Sequence, residues 1–271
     1  MQIYCLVQCY YAQLVEHSSK PHFYFMFNQQ PNFIKNIAKL DLLCSRKPSE
    51  KLVALQAEFD VAECNLLVWQ QQMAEHGLDI SKMRQKRAAE FVAGRYLAWL
   101  ALQQLTGHTQ AVLPIGEDRA PIWPKGVVGS ISHSNGHVVV VVKLAAELSL
   151  LGIDIEQILS NDKAQTLYKE FINPDELTVL NSSDDFSAND FALLVSVVFS
   201  AKEAIYKAYH PLVQEFFSFD AVELTSIDKG RLEFKLTEMF PLSGRKVLAD
   251  KPITVSWMQQ QDMVFSWIME E

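Results

Sequence analysis

The sequence predicts an α+β protein, because helical patterns and strand-like runs both recur along the chain. One observation is a helical pattern over Met83 to Leu105, where apolar side chains repeat every three or four residues. A second is a pair of strand-sized apolar runs, His137 to Lys143 and Leu150 to Ile155. A third is a series of short alternating runs after Phe219, which predicts an antiparallel sheet.

The composition limits the class of protein. The chain has 271 residues, of which 49% are hydrophobic and 21% charged, as in an ordinary globular protein. A net charge of −8 disfavours a nucleic-acid binder, which needs a basic surface. No apolar run approaches the roughly 20 residues that span a bilayer, and the beginning lacks the basic start of a signal peptide. We therefore expect a cytoplasmic protein without a membrane segment. We also expect a monomer.

The first 80 residues carry no recognisable chemistry. His22 to Phe27 predicts a strand, whereas Asn32 to Leu43 and Ser49 to Leu67 look helical. All four cysteines precede residue 65, at positions 5, 9, 44 and 64. We expect them to be reduced thiols, since Cys5 and Cys9 alone are too few for a zinc site.

Basic side chains gather on the helix predicted at Met83 to Leu105. Arg84, Arg87 and Arg95 fall on neighbouring rows of about one face. This face is either solvated or a clamp for phosphate, whose oxygens match a guanidinium group bidentately.

A stiff loop and a turn follow this helix. Three prolines keep the stretch 113–129, which contains Arg119, out of helical conformation. Asn135-Gly136 is a strong turn signal. His133, just before the turn, is a candidate for binding an anion or transferring a proton, although a lone histidine can also be incidental.

Two carboxylates share one face of the strand Gly152 to Glu156. Strict alternation puts Ile153 and Ile155 on one face and Asp154 and Glu156 on the other. If Glu203 joins them from a nearby helix, three hard oxygen donors could hold Mg²⁺ while leaving positions for phosphate and water.

The stretch Phe199 to Tyr209 predicts the helix that carries Glu203. Ser200 suits a helix N-cap and Glu203 follows three residues later, so a capping box accounts for Glu203 without any catalytic role. Glu203 and Lys207 are also spaced for an ion pair. The apolar run Phe191 to Val198 allows the helix either to restart at Ser200 or to run through it.

These motifs together resemble the larger, single-chain 4′-phosphopantetheinyl transferases, especially the siderophore-synthase subgroup. The matching residues are Arg119-Ala120-Pro121-Ile122-Trp123-Pro124, Ser130 to Ser134, Gly152 to Glu156, and Phe199 to Ala208. The resemblance implies two similar α+β lobes with the active site between them and a boundary near Leu148. It divides the chain into residues 1–80, an extension with the start of the first lobe; 81–148, the rest of that lobe; and 149–271, the second lobe.

The resemblance also implies a reaction: transfer of the phosphopantetheine arm of coenzyme A to a serine of an acyl, aryl or peptidyl carrier protein. Mg²⁺ held by Asp154, Glu156 and Glu203 would bridge pyrophosphate oxygens. Glu203, or Glu156 as second choice, would take the serine proton, and Lys207 would contact the pyrophosphate. The implied coenzyme A contacts are Ser132, His133, Arg87, Arg95, Arg119, Lys202 and Lys207. Two alternatives stay open: a non-catalytic module that binds coenzyme A or a carrier, and another metal-dependent phosphotransferase.

Aromatic residues near the predicted helix are candidates for docking the carrier. They are Tyr206, Tyr209, His210, Phe216 and Phe217. An acidic protein cannot attract an acidic carrier at long range, so a small apolar patch is expected to make the contact. The alternative is that these rings belong to the core.

Overall fold

The computed structural model describes residues 27, 29–42, 51–107, 112–117, 119–145, 150–183, 186–245 and 251–270. Two antiparallel sheets organise this part of the chain. Each sheet is packed against one long helix, so the α+β class predicted from the sequence is confirmed.

The first lobe contains a four-stranded sheet. Its elements are β1 (Ile34–Lys39), β2 (Leu52–Phe59), α1 (Leu66–Glu75), α2 (Gln85–Thr106), β3 (Val127–Ser134) and β4 (His137–Leu144). The strand order is β1-β2-β4-β3, so β3 lies at an edge. Val138, Val140 and Val142 pack against α2, which covers one face of the sheet.

The second lobe contains a five-stranded sheet and a second long helix. Its elements are β5 (Leu150–Gln157), α3 (Asn161–Leu167), α4 (Pro174–Ser182), α5 (Phe191–Val213), β6 (Val222–Asp228), β7 (Arg231–Leu236), α6 (Leu242–Arg245), β8 (Ile253–Gln260) and β9 (Met263–Glu270). The strand order is β5-β9-β8-β7-β6, so β5 lies at an edge. Helix α5 packs on β5, β9 and β8.

A third apolar cluster joins the two lobes. Val139 and Val141 on β4 point away from α2 and pack with Ile153 and Ile155 on β5. Because side chains alternate along a strand, the residues between these isoleucines project to the opposite side of β5, toward α5. This arrangement aims Asp154 and Glu156 away from the apolar cluster.

The two helices predicted before residue 68 are wrong. Asn32 to Leu43 contains β1, and Ser49 to Leu67 contains β2 and only the start of α1. Strand β2 pairs with β4 on one side and β1 on the other, and these long-range pairings override local helix propensity. The strand predicted at His22 to Phe27 lies outside the described residues except for Phe27.

The expectations about the lobe boundary, the cysteines and a membrane segment can be compared with the residues that the structure describes. The boundary predicted near Leu148 falls outside them and stays a prediction. Cys64 is a free, buried thiol, and burial raises its pKa to about 11, as for an unreactive side chain. Within the described helices, none combines the length and apolar character of a membrane span.

Candidate active site

A close contact between α5 and β5 assembles the candidate site. A Cβ atom at Gly152 would collide with the carbonyl oxygen of Ala204 on α5. Glycine therefore lets the backbone of the helix approach the strand directly. Glu203 and Lys207 lie one turn apart on this part of α5, and Lys207 reaches Asp154 on β5.

Asp154 is the most enclosed of the candidate metal ligands, with 2% of its surface exposed. Its Oδ1 atom accepts hydrogen bonds from the Ser132 hydroxyl at 2.7 Å and from the Lys207 ammonium group at 2.6 Å. Its Oδ2 atom is buried and has no hydrogen-bond partner. A buried carboxylate oxygen without a partner is costly, so this atom is suited to a ligand that completes the site.

The surroundings of Glu156 and Glu203 disfavour the charged forms of these side chains. Burial, followed by the charge of Asp154, raises the pKa of Glu156 from 4.5 to about 7. Burial likewise raises the pKa of Glu203; Asp154 adds to that shift and Lys207 opposes it. Acids whose pKa values are raised by burial and by neighbouring charges are typical of functional sites, and structural clusters show such shifts as well.

The three carboxylates do not form a finished metal cage. Among the residues that the structure describes, no group of three or more His, Cys, Asp or Glu side chains is arranged to hold a metal ion. The Lys207 ammonium group occupies Oδ1 of Asp154 and supplies positive charge there.

The capping box predicted at Ser200 and Glu203 is wrong. Helix α5 begins at Phe191 and is continuous through Ser200, which is fully buried inside it. The apolar run before Ser200 packs into the core of the second lobe and keeps the chain helical. Glu203 therefore has no capping role, whereas its electrostatic interaction with Lys207 remains.

The structure also brings Arg87 and His133 together. The Arg87 Nη1 atom lies 2.9 Å from Nε2 of His133, and Oε2 of Glu90 lies 3.6 Å from Nη1 of Arg87 and 3.8 Å from Nδ1 of His133. Burial lowers the pKa of His133, and the nearby Glu90 carboxylate opposes that shift. This cluster joins α2 to β3 and places the N–H groups of Arg87, which can bind an anion, beside His133.

Arg95 and Arg119 differ from Arg87 in their surroundings. Arg95 is buried, donates from Nε to the Leu113 carbonyl oxygen at 3.0 Å and lies 4.6 Å from the Phe91 ring centroid. Burial, followed by the charge of Arg87, lowers the pKa of Arg95 to about 10. Arg119 is exposed in its loop, with a left-handed φ of 68°. Their contacts with coenzyme A stay predictions.

Lys202 is not brought to the site. Its ammonium group lies 2.6 Å from Oε1 of Glu176, and both side chains are at most 2% exposed. It also donates to the carbonyl oxygens of Phe171 and Phe219, at 2.8 and 3.2 Å. Because these contacts use its three donors inside the core, Lys202 ties α5 to its neighbours and has no donor left for coenzyme A.

The aromatic candidates for docking fall into two groups. Tyr209 and Phe217 are buried, so they belong to the core and are not available to a partner. Phe216 is 81% exposed, and its ring centroid lies 6.0 Å from that of Tyr206 on α5.

Sequence reasoning missed Glu90 and Ser134. Glu90 lies three residues after Arg87 on α2, a spacing that places both on one helix face. Ser134 donates from its hydroxyl to Oε2 of Glu156 at 2.8 Å. The signal for Ser134 was its alternation with Ser130 and Ser132, which puts three hydroxyls on one side of β3.

The parts of the chain that build this site match models of known protein families. Residues 74–143 match the 4′-phosphopantetheinyl transferase N-terminal domain, and residues 150–256 match the 4′-phosphopantetheinyl transferase superfamily. A solved structure described as holo-ACP-synthase from Plasmodium yoelii shares 22% identity and covers 44% of this chain and 91% of that chain. The TM-score of this match is 0.33.

Curated relatives extend the match over most of their own length. Enterobactin synthase component D of Salmonella typhi is 32% identical over 183 residues, which are 68% of this chain and 72% of the relative. The 4′-phosphopantetheinyl transferase Npt of Nocardia iowensis is 32% identical over 191 residues, which are 67% of this chain and 82% of the relative. From its matched domains and these relatives, we conclude that this chain belongs to the 4′-phosphopantetheinyl transferase superfamily.

Proposed function

We propose that this protein transfers the 4′-phosphopantetheine arm of coenzyme A to a serine hydroxyl of an apo carrier protein. The observation that supports this most is the arrangement around β3 of the first lobe. His133 faces Arg87 on one side of this strand, whereas Ser132 and Ser134 contact Asp154 and Glu156 on the other. Strand β3 thus contacts both the proposed phosphate-binding pair and the carboxylates, and a phosphoryl transfer from a long polyanionic donor needs both groups close together.

The donor set fits Mg²⁺. Asp154 has a buried, unpartnered oxygen, and Glu156 and Glu203 supply further hard oxygen atoms. We propose that these three side chains would hold the ion, after side-chain movements that bring their oxygen atoms together. Magnesium, when bound, supplies positive charge that neutralises pyrophosphate oxygens.

The protein's own residues would then position the reacting groups. The carrier serine oxygen forms a bond to the phosphorus next to the pantetheine arm, the pyrophosphate bond breaks, and adenosine 3′,5′-bisphosphate leaves. Glu203, whose pKa is raised by burial, is our first choice to accept the serine proton, and Glu156 is the second. Lys207 would donate to the pyrophosphate from one turn along the same helix.

Arg87 and His133 are proposed to bind a phosphate of coenzyme A, which we take to be the 3′-phosphate. The Arg87 Nη1 atom donates to Nε2 of His133 at 2.9 Å, because a guanidinium group has no acceptor. A phosphate that displaces this contact would accept from N–H groups of both side chains. Arg95 and Arg119 are proposed as weaker contacts.

The carrier is proposed to dock on a patch formed by Phe216, Met239 and Leu242, which are 81, 63 and 74% exposed. Phe216 touches Tyr206, which lies on α5 between Glu203 and Lys207. We further propose a carrier of siderophore or other nonribosomal peptide synthesis, because the Salmonella typhi relative is an enterobactin synthase component. The cytoplasmic location and monomeric state stay predictions.

The test is to incubate the protein with coenzyme A, Mg²⁺ and an unmodified carrier, and then to weigh the intact carrier by mass spectrometry. We expect a mass gain of one phosphopantetheine group, and no gain on a carrier whose modified serine is replaced by alanine. A carrier that binds the folded protein but gains no mass would favour a non-catalytic binding module instead.

A further inference from the structure

The two lobes meet along β3 and β5, which are edge strands of different sheets. The contact between them uses serine hydroxyls of β3. We call Ser130, Ser132 and Ser134 the serine row; they alternate along β3 and therefore project to one side of it. An exposed strand edge carries unpaired polar groups, so hydroxyls that reach these groups can join two sheets.

Each member of the serine row has a different partner on β5. The backbone N–H of Ile153 donates to the Ser130 hydroxyl at 3.0 Å. The Ser132 hydroxyl donates to Asp154, as described above. The Ser134 hydroxyl donates to Oε2 of Glu156 at 2.8 Å and accepts from the backbone N–H of Gln157 at 3.4 Å. The row therefore passes from a purely backbone contact at Ser130 to carboxylate contacts at the other two serines.

The other face of β3 carries His133, one member of the proposed phosphate-binding pair. Ile131 packs against the core of the first lobe, and His133 contacts Arg87 on α2. A single residue step along β3 therefore separates the His133 side chain from the hydroxyl that holds Glu156. Any shift of β3 against β5 would move the phosphate-binding pair relative to the carboxylates.

We propose that Ser134 is a positioning residue for the transfer, which fixes the carboxylate of Glu156 and sets its distance from the coenzyme phosphates. This inference rests on the proposed function, because it gives Glu156 the task of holding the metal ion. Asp154 has two partners at one oxygen, Ser132 and Lys207, so loss of one leaves the other. Ser134 contacts Glu156 and the neighbouring amide of Gln157 at once, so its hydroxyl restrains both the side chain and the strand.

Ser134→Ala tests this role, with Ser130→Ala as the matched control. Both changes remove one hydroxyl from the same side of the same strand, but Ser130 contacts only backbone atoms of β5 among the described residues. Mn²⁺ binding, measured by calorimetry without coenzyme A, reports on the carboxylates apart from turnover. We expect Ser134→Ala to weaken Mn²⁺ binding by about 10- to 100-fold, the usual effect of removing a hydrogen bond to a ligating side chain.

In carrier modification assays, Ser134→Ala should lower kcat and raise the Mg²⁺ concentration needed for half-maximal rate, while the KM for coenzyme A changes little. Ser130→Ala should lower the melting temperature. Its Mn²⁺ affinity should stay within tenfold of the wild type, a smaller change than loss of a hydrogen bond to a metal ligand causes. Ser134→Thr keeps a hydroxyl and should recover most of the affinity.

Equal losses of Mn²⁺ affinity in the two alanine variants, or wild-type affinity in a folded Ser134→Ala variant, would overturn the positioning role. A wild-type protein that neither binds Mn²⁺ nor modifies a carrier would instead defeat the proposed function. The two failures are therefore distinguishable.

Discussion

The ammonium group of Lys207 lies 2.6 Å from Oδ1 of Asp154 and 2.8 Å from the hydroxyl of Ser132. The lysine therefore provides positive charge at the carboxylate that we propose as a metal ligand. A metal ion and this ammonium group would compete for the same carboxylate, because both are attracted by its charge.

Lys207→Met should separate the contribution of the ammonium charge to catalysis from its competition with a metal ion. We expect kcat to fall by about 10²- to 10³-fold, as when one charged donor to a transition state is lost. Mn²⁺ affinity should stay the same or rise, because the competing cation is gone. Kinetics of carrier modification and Mn²⁺ titration check both values, and weaker Mn²⁺ binding in a folded variant would refute the competition.

Glu156→Gln should show how much the raised pKa of Glu156 changes the free energy of unfolding with pH. The folded-state pKa of about 7 lies above the ordinary 4.5, so between these values the folded protein keeps a proton that the unfolded chain has lost. The wild type should therefore lose up to about 3 kcal/mol of unfolding free energy as pH rises from 4.5 to 7, at about 1.4 kcal/mol per unit.

The glutamine variant should escape this loss, and excess Mg²⁺ should reduce it in the wild type, because the metal binds the charged carboxylate. Urea unfolding at a series of pH values, with and without Mg²⁺, measures the difference. Parallel pH profiles for the two proteins in the absence of metal would contradict the raised pKa.

Lys202→Met should act on stability and not on coenzyme A. Removing one partner of a buried ion pair typically costs about 3 to 5 kcal/mol. Among the described residues, the Glu176 carboxylate would keep only the backbone N–H groups of Asn173 and Leu224 as partners. Chemical unfolding should show a loss of this size, with an unchanged KM for coenzyme A. A stable Lys202→Met variant with a raised KM for coenzyme A would restore the contact that the sequence predicted.

The sequence predicted the candidate site better than it predicted the surroundings. Alternation along β5 was enough to pair Asp154 with Glu156, because the period of a strand is local information. The capping box at Ser200 failed because the helix boundary was set by packing of the preceding apolar run, which is long-range information. Ser134 was missed for a related reason: its alternation with Ser130 and Ser132 is local, but its partners lie on a strand of another sheet, which no local pattern indicates.

Arg87→Ala and His133→Ala should each discriminate between coenzyme A and 3′-dephospho-coenzyme A. A charged hydrogen bond to the 3′-phosphate is worth about 1.5 to 3 kcal/mol, and only coenzyme A would lose it. Calorimetric titration with both ligands checks the difference. Arg84→Ala is the control, because Arg84 is an exposed residue at the start of the same helix. Equal losses for the two ligands would assign the pair to another part of coenzyme A.

Phe216→Ala should raise the KM for the carrier and leave the KM for coenzyme A unchanged, since it removes only exposed apolar surface. Leu67→Ala on α1 is the matched control, because that side chain is also 77% exposed. Added salt should affect the carrier KM only mildly, as expected for an apolar contact. A steep salt dependence, or the same KM change in both variants, would exclude this patch as the docking surface.

The central claim is that a carrier serine displaces adenosine 3′,5′-bisphosphate from coenzyme A at the site formed by Asp154, Glu156 and Glu203. Its most direct measurement quantifies both products in one reaction, by intact-carrier mass spectrometry and chromatography of the nucleotide. The account predicts one adenosine 3′,5′-bisphosphate for each modified carrier with the wild type, and neither product with a folded Asp154→Asn variant. Nucleotide release without carrier modification, or full activity of the Asp154→Asn variant, would contradict it.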